Sequence, residues 1–400
     1  MNKLFHIGML SGRVFGLDLM RFIAISLVLI SHGRVLISPI LKDKQSNFTI
    51  GGFLGVELFF VLSGFLIGGI LIKICEKDGG LNVNSLKDFW KRRWFRTLPN
   101  YYLIIIVTTL VALLKGKHLF TSPSYYLYFI FCQNFAYKPS IDFFFESWSL
   151  AVEEWFYLTL PIVFIVTFFC IDRFNFRVKT SNKSLISILV LLFLGFIFRL
   201  VGAYFTDLSW FIMRCIVLFR LDSIVWGVLF AWVNFYRPVF FKKYSIHFAI
   251  AAFILLVHCV HHYWYQYNTP GHLTDFYSRS LYFTIINVAF AALLPLVSSW
   301  NSTKYTSISS LITKVSICSY SIYLTHITFS LNFVLALRKS NFPIIKDFDT
   351  NAFSSIVSFI IYVIISVSIS ILLFKYFERP MTDLRDKKNT NSKALKKQYS

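Results

Sequence analysis

Charged residues are scarce in this sequence: Asp, Glu, Lys and Arg together account for 15% of it, whereas a soluble domain typically contains about 25%. Hydrophobic residues make up 56%, and the mean hydropathy is +0.63. A helix needs about 20 apolar residues to cross a bilayer, and runs of that length recur along the chain. The composition therefore excludes an ordinary soluble enzyme and predicts a polytopic membrane protein.

Acidic residues are the rarer charged class, with 19 Asp and Glu against 40 Lys and Arg. The resulting net charge of +21 does not by itself indicate a nucleic-acid partner. The basic residues cluster in short segments between the apolar runs, which is the pattern of the positive-inside rule. This charge distribution predicts contact with membrane lipid and no nucleic acid.

Paired cysteine motifs are also missing. The six cysteines are scattered without a CxxC spacing, so we expect buried thiols instead of disulfides or a zinc site. They are Cys75, Cys132, Cys170, Cys215, Cys259 and Cys318. His258, His261 and His262 have a helical spacing that could suit a metal, but they lack a carboxylate partner. We therefore predict no metal site and no bound cofactor.

We predict an all-α integral membrane protein with ten spanning helices. They are expected near residues 17–38, 52–74, 99–114, 148–170, 185–205, 212–236, 246–264, 278–299, 315–337 and 352–377. The apolar stretch 124–137 is too short to span, and we interpret it as a re-entrant or interfacial segment on the outer side. Residues 1–378 would form one membrane domain. The basic tail 379–400 is expected to be disordered and attracted to the anionic inner leaflet.

The basic residues favour placing both termini in the cytoplasm. In that orientation the inner segments hold 26 of the 40 Lys and Arg residues, the outer segments hold nine, and five lie within helices. Internal repeats, which are common in secondary transporters, are not found in the sequence. The prediction is an N-in/C-in protein of the bacterial inner membrane.

The first predicted helix carries three ionisable residues, and each is a functional candidate because charge is costly inside a bilayer. Arg21 and His32 are eleven residues apart, close to three helical turns, so they share a face about 16 Å apart. Asp18 can reach Arg21 from one turn away. Two interpretations remain open: a structural ion pair with an interfacial histidine, or a site that binds an anionic donor at Arg21 and moves a proton at His32.

An arginine cluster follows the second predicted helix, in the segment KDFWKRRWFRTLPNYY. Arg92, Arg93 and Arg96 could be a positive-inside anchor among aromatic residues. They could also be a phosphate clamp, because guanidinium groups bind phosphate through two parallel hydrogen bonds. A nucleotide-bearing donor such as coenzyme A would suit such a clamp.

Further charges lie within the predicted helices. Glu57 could partner His32 from the neighbouring helix, and Arg220 and Asp222 are interpreted as a packing pair. The adjacent carboxylates Glu153 and Glu154 point about 100° apart on a helix, so only one of them can face a given site. The remaining candidate is His326, which lies beside Tyr320 and Tyr323 and whose role is left open.

Several blocks in this order resemble the membrane-bound acyltransferase family 3, which includes O-acetylases of lipopolysaccharide O-antigen, peptidoglycan and other exported glycans. The blocks are LDLMRF with Arg21-x10-His32, GVELFFVLSGFLI, KRRWFRTLPNYY, SWSLAVEEWFYL, FRLDSIVWG, SYSIYLTHI and KYFERP. Many relatives carry Trp-His-Trp or Trp-His-Pro near the ninth helix, where this chain has Leu-Thr-His-Ile. The resemblance extends from Leu17 to about Pro380.

The resemblance implies site roles at matching positions. Arg21 and His32 match the Arg/Lys-x10-His motif linked to catalysis, and Glu153 matches the glutamate of the Trp-Ser-Leu-x-x-Glu block. Arg93 and Arg96, with Arg92 beside them, match the arginines linked to acyl-CoA binding. The supporting candidates are Asp18, Glu57, Arg220, Asp222, Tyr323 and His326.

The implied activity is transfer of an acyl group, expected to be acetyl, from cytoplasmic acyl-CoA to a hydroxyl of an exported or lipid-linked sugar. Acetyl-CoA would be a substrate, and the glycan acceptor a second partner. The alternative is a transporter or proton-coupled exporter that uses intramembrane His, Arg and Glu residues as a relay. That alternative predicts solute flux without consumption of acyl-CoA.

Overall fold

A computed structural model describes residues 13–137, 143–174, 176–267, 273–301, 306–339 and 352–385. Within these ranges every regular element is helical. Eight of the described helices are long and apolar enough to cross a membrane, and two more, Leu221–Tyr236 and Leu281–Val297, are apolar but shorter. The predicted all-α membrane fold and its ten main helices are confirmed in the described part of the chain. The N-in/C-in orientation stays a prediction.

The ten main helices are numbered in chain order. They are α1 (Phe15–Gly33), α2 (Ser46–Asp78), α3 (Val83–Leu114), α4 (Ser147–Arg173), α5 (Thr180–Phe205), α6 (Leu221–Tyr236), α7 (Ser245–Tyr267), α8 (Leu281–Val297), α9 (Thr306–Thr325) and α10 (Ala352–Leu373). Short helical pieces connect them: Arg34–Ile37, Ser38–Leu41, Lys42–Gln45, Leu119–Thr121, Pro123–Leu127, Tyr128–Ile130, Trp210–Cys215, Val217–Phe219, Pro238–Lys243, Phe276–Arg279 and Asn332–Lys339. Two π-helical turns, His326–Leu331 and Phe374–Glu378, continue α9 and α10.

Helix α3 begins at Val83, well before the predicted start at residue 99. Asn82 caps it: its side chain accepts a hydrogen bond from the backbone N–H of Ser85 at 2.8 Å, while the Ser85 hydroxyl accepts one from the Asn82 N–H at 3.0 Å. A reciprocal cap of this kind satisfies N–H groups that a helix start leaves unpaired. The arginine cluster therefore lies in about the third and fourth turns of a helix and not in a loop.

The predicted helix over 212–236 is interrupted. Ile216 has an extended backbone between Trp210–Cys215 and the turn Val217–Phe219. The break lets the Val217 N–H donate to the carbonyl of Asn134 at 2.9 Å. The chain thereby exchanges helical hydrogen bonds for bonds to the segment 124–137, which the mainly apolar sequence of this stretch does not reveal.

The segment 124–137 folds as short turns, as its length predicted. Phe131 adopts a positive φ of 56° and ends the helical turn there. The Asn134 side chain then donates to the carbonyls of Trp148 and Cys215, at 2.9 and 2.6 Å. Asn134 is fully buried. The segment therefore packs against the helical bundle, and its re-entrant or interfacial position on the outer side stays a prediction.

At the other end of the chain, helical structure continues past the predicted domain boundary at 378. Residues 379–385 are helical, so the first part of the predicted disordered tail extends α10. The rest of that tail, 386–400, lies outside the described residues.

Candidate functional site

A cavity of about 670 Å³ opens among α1, α2, α3, α4, α6 and α9. Its lining contains five cationic side chains and two carboxylates, an excess of positive charge that suits an anionic ligand. The cations are Arg13, Arg21, Lys73, Arg93 and Arg96, and the carboxylates are Asp18 and Glu153. Of these seven, the sequence predicted four as site residues from separate parts of the chain: Arg21, Arg93, Arg96 and Glu153. Asp18 was a predicted supporting residue, and Arg13 and Lys73 were not singled out.

Asp18 is shared between two arginines at one side of this cavity. Its carboxylate is paired with Arg13 and lies 3.6 Å from the nearest guanidinium nitrogen of Arg21, which confirms the predicted contact. The Ser316 hydroxyl donates to the same carboxylate at 2.8 Å. Because one carboxylate serves two guanidinium groups, this cluster retains a net positive charge where it faces the cavity.

Arg93 is held against the ring of Tyr157, with its guanidinium carbon 4.2 Å from the ring centroid. The Tyr157 hydroxyl donates to Glu153 at 2.7 Å, and Arg93 itself lies 4.0 Å from that carboxylate. Of the two adjacent glutamates, only Glu153 lines the cavity, as their angular separation required. Arg96 lines the cavity one turn further along α3.

Arg92 lies apart from Arg93 and Arg96, with which it was predicted to form a clamp. Its side chain is exposed and does not belong to the described lining of the cavity. Its backbone carbonyl accepts a hydrogen bond from Arg385 at 3.4 Å, which ties α3 to the helical continuation of α10. The cavity lining therefore brings together Arg93 and Arg96, without Arg92.

His32 pairs with His326. The Nδ1 of His32 lies 3.0 Å from the Nε2 of His326, and the two ring centroids are 5.0 Å apart. The other ring nitrogen of His326, Nδ1, lies 2.7 Å from the carbonyl oxygen of Tyr323. The sequence left the role of His326 open, and the structure brings it directly to the predicted base.

Tyr323 connects the histidine pair to the cavity. Its side chain lines the cavity together with Ser149, and the two hydroxyl oxygens are 2.6 Å apart. Its backbone carbonyl binds His326. The pair His32–His326 thus lies next to Tyr323 in the wall of the cavity, although neither histidine belongs to the lining.

Glu146 holds the segment that carries His326. The backbone N–H and the hydroxyl of Thr328 donate to one of its carboxylate oxygens at 2.9 and 3.0 Å. Thr328 belongs to the π-helical turn His326–Leu331, a rare geometry that is frequent at functional sites. Sequence reasoning missed Glu146; its position directly before the SWSLAVEEW block was the available signal.

Three predicted supporting residues belong to a different, structural cluster. Glu57 is paired with Arg220 and not with His32. Asp222 lies 2.6 Å from Arg199. The predicted packing pair of Arg220 with Asp222 is therefore wrong. Residues two positions apart on a helix point in different directions, which is why Arg220 turns toward α2 while Asp222 turns toward α5.

The outer histidines make hydroxyl contacts. His258 Nε2 lies 2.6 Å from the Tyr277 hydroxyl, and His262 Nε2 lies 2.7 Å from the Ser278 hydroxyl. The described residues contain no group of three or more His, Cys, Asp or Glu side chains that could hold a metal ion. All six cysteines are free thiols; Cys75, Cys215, Cys259 and Cys318 are buried as predicted, whereas Cys132 is half-buried and Cys170 is exposed.

Comparison with known proteins gives a consistent set of similarities. A family model described as an acyltransferase domain matches residues 14–375. A putative O-acetyltransferase of Staphylococcus aureus is 32% identical over 191 residues, which cover 45% of this chain and 29% of that protein. The peptidoglycan O-acetyltransferase OatA of Listeria monocytogenes is 38% identical over 129 residues, covering 29% of this chain and 20% of the relative.

A putative peptidoglycan O-acetyltransferase of Bacillus subtilis is 32% identical over 170 residues, or 39% of this chain and 25% of that protein. The aligned regions thus span less than a third of the length of these curated relatives. No solved structure matches the chain.

Proposed function

Since this chain belongs to the acyltransferase family whose domain model matches residues 14–375, we propose that it O-acetylates a cell-envelope glycan from a cytoplasmic acyl-CoA. The acceptor would be an exported or lipid-linked sugar, such as a lipopolysaccharide O-antigen or peptidoglycan, and the site of action the bacterial inner membrane. The relatives whose names include O-acetyltransferase support the acetyl group as the one transferred.

The observation that carries this proposal is the position of the cationic cavity next to the histidine pair. Phosphate groups of the donor would bind Arg93 and Arg96, whose guanidinium groups can each present two parallel donors. Arg13 and Lys73 extend the same cationic lining. The thioester end of the donor would then lie near Tyr323 and Ser149, next to the histidines.

Chemistry at the thioester needs a base for the sugar hydroxyl. His32 would take the hydroxyl proton as the oxygen attacks the thioester carbonyl. Arg21, which shares α1 with His32 and lines the cavity, would stabilise negative charge on the donor. The carboxylate of Glu153 holds Tyr157, and through it Arg93, in place.

The direct test is acyl transfer by membranes that contain the wild-type protein or its His32→Ala variant. Radiolabelled acetyl-CoA is supplied, and label is followed into cell-envelope glycan by mass spectrometry and scintillation counting. We expect wild-type membranes to consume acetyl-CoA and label a glycan, and His32→Ala membranes with equal protein level to do neither.

Two outcomes would contradict the proposal. Near-normal transfer by the His32→Ala variant would remove the assigned base. Flux of a solute through proteoliposomes without any consumption of acetyl-CoA would instead identify the transporter that the composition alone allows.

A further inference from the structure

We propose that His326 is a positioning residue that fixes the tautomer of His32, so that the Nε2 of His32 carries the unshared pair that acts as base. The inference rests on the proposed acyl transfer and adds to it a second histidine, which orients His32 and stays neutral during the reaction. It follows from the chain of contacts that joins Tyr323, His326 and His32.

The hydrogen-bond chain allows one assignment for neutral rings. The carbonyl of Tyr323 can only accept, so His326 must carry its proton on Nδ1, 2.7 Å away. A neutral imidazole then has an unprotonated Nε2, which can only accept. His32 Nδ1, 3.0 Å from that atom, must therefore be the donor. The proton of His32 is thus on Nδ1, and its Nε2 is left unprotonated.

The surroundings of His326 favour the neutral form. Its side chain is fully buried, and charge within a membrane protein is costly unless it is paired. Both of its ring nitrogens are already bonded to neutral partners, the Tyr323 carbonyl and the His32 ring. A neutral imidazole can therefore orient His32 without placing a carboxylate beside it.

The segment around His326 is held at several points, as a positioning residue requires. Glu146 accepts two hydrogen bonds from Thr328 within the same π-helical turn. The Tyr323 hydroxyl is bonded to Ser149. These contacts connect the turn to α4 and to the residue that precedes it, so the Nε2 of His326 has a fixed place relative to α1.

On the other side of His32, the ring meets Phe145 edge-on, with centroids 6.5 Å apart. Gly52 of α2 lies next to the ring, since a Cβ there would be in ordinary van der Waals contact with His32 Cε1, at 3.9 Å. The ring is therefore bounded by an aromatic edge, a glycine and the second histidine. The ring also has a hydrogen bond to the backbone of Val28 on its own helix, and the contact to His326 is the one that reaches Nδ1 from a different helix.

The reaction balances with His326 unchanged. The sugar hydroxyl gives its proton to His32 Nε2 while its oxygen bonds to the thioester carbonyl carbon. The carbon–sulfur bond breaks, and the proton on Nε2 passes to the leaving sulfur, giving the sugar ester and free coenzyme A thiol. Throughout, His32 Nδ1–H donates to His326, which stabilises the imidazolium during the step.

Two substitutions separate this role from a structural one. In His326→Asn the amide nitrogen occupies the place of Nδ1 and keeps the bond to Tyr323, but nothing reaches His32. In His326→Gln the amide lies at the place of Nε2, where its oxygen can accept from His32 Nδ1–H. Loss of the correct tautomer costs about 10⁴-fold in a serine protease.

We therefore expect His326→Asn to lower kcat at least about 100-fold with an unchanged KM for acetyl-CoA, because the donor cavity is intact. His326→Gln should restore at least a tenth of the wild-type kcat. Equal loss in both variants at normal protein level, or no loss in either, would overturn the inference.

A spectroscopic readout does not depend on turnover. Solid-state NMR of ¹⁵N-histidine-labelled protein in lipid distinguishes the two neutral tautomers, and the His32→Ala variant identifies the His32 signals among the nine histidines. We expect protonated Nδ1 at His32 in the wild type and a mixture of tautomers in His326→Asn. A protonated Nε2 at His32 in the wild type would refute the inference even if acyl transfer were confirmed. If the expected tautomers were observed but the protein transferred no acyl group, only the proposed function would be refuted.

Discussion

Ionisable residues inside the bundle fall into two groups that differ in how completely they are paired. Glu57 pairs with Arg220 and Asp222 with Arg199, and all four are almost fully buried. Arg214 also lies 4.0 Å from Glu57, so three cations share two carboxylates in this group. In the cavity, five cations share two carboxylates. Closer pairing reduces the cost of charge in a membrane, whereas a larger excess of cations leaves charge available to a ligand.

The first prediction concerns the paired group. Glu57→Leu leaves Arg220 buried without its carboxylate, and breaking a buried pair in this way costs about 3–5 kcal/mol. We expect a corresponding loss in the free energy of unfolding, measured by SDS titration in mixed micelles. The kcat of protein that remains folded should stay near that of the wild type, because Glu57 contacts neither His32 nor the cavity.

The double variant Glu57→Leu/Arg220→Leu serves as the control for that prediction. It removes both charges, so it should be more stable than Glu57→Leu alone. A double variant less stable than either single variant, or a Glu57→Leu protein that is stable but inactive, would assign Glu57 a role beyond pairing with Arg220.

The second prediction concerns the cations of the cavity, which outnumber their carboxylates. Arg93→Lys keeps the charge but loses the planar group that lies on Tyr157 and the paired donors that suit phosphate. A hydrogen bond to a charged group is worth roughly 1.5–3 kcal/mol, so we expect the KM for acetyl-CoA to rise about 10-fold or more. Initial rates at varied acetyl-CoA would measure this change.

Arg92→Lys is the matched control, since Arg92 is the neighbouring arginine on the same helix and is exposed outside the cavity lining. Its KM for acetyl-CoA should stay within about 2-fold of the wild-type value, as for most exposed substitutions. If Arg92→Lys weakened donor binding as much as Arg93→Lys, the general charge of this region would matter and not the clamp.

At the level of helices, the crossing of α2 and α6 positions one wall of the cavity. A Cβ at Gly64 would lie 1.9 Å from the carbonyl oxygen of Ile224, and a Cβ at Gly227 would lie 2.0 Å from that of Val61. Backbone meets backbone at this crossing, which small residues make possible in membrane helices. Among the glycines of α2, Gly64 is therefore needed for this close crossing, whereas a glycine that faces open space is not.

The third prediction compares two of these glycines. Gly64→Ala must push α2 and α6 apart, because the atom it meets is backbone and cannot rotate away. Overpacking typically costs about 1–3 kcal/mol, and we expect much less monodisperse protein on fluorescence-detected size-exclusion chromatography. Gly69→Ala meets only the Ala231 Cβ at 4.0 Å and should be tolerated. Equal yields of the two variants would contradict the close crossing.

Helix number and approximate position could be predicted from the sequence, because bilayer thickness imposes a minimum length on each apolar run. The start of α3 could not, since averaging hydropathy over a window hides polar and charged first turns; the Asn82–Ser85 cap was the overlooked sign. Spacing along α1 correctly grouped Arg21 with His32 on one helix. It could not predict that His32 meets His326, 294 residues away, because such contacts depend on how helices cross.

Across the whole molecule, the cationic cavity and the histidine pair are arranged along the axis of α1. Arg13 precedes this helix, Arg21 lies in its second turn and His32 near its end. The cation at the far end of α2, Lys73, lines the cavity as well, whereas Gly52 near the start of α2 adjoins His32. The two helices run in opposite directions, so the cationic side chains gather toward one end of the bundle and His32 lies toward the other.

The fourth prediction follows from this polarity. The ends of α1 and α2 that carry Arg13 and Lys73 are those that the count of basic residues places in the cytoplasm. Acetyl-CoA does not cross a bilayer, so inverted vesicles, whose cytoplasmic face is outside, should consume added acetyl-CoA, and right-side-out vesicles should not. Permeabilised vesicles of both kinds should consume it at equal rates. Consumption by intact right-side-out vesicles would mean that the cavity opens to the outer face, and both the orientation and the assignment of the cavity to a cytoplasmic donor would then be wrong.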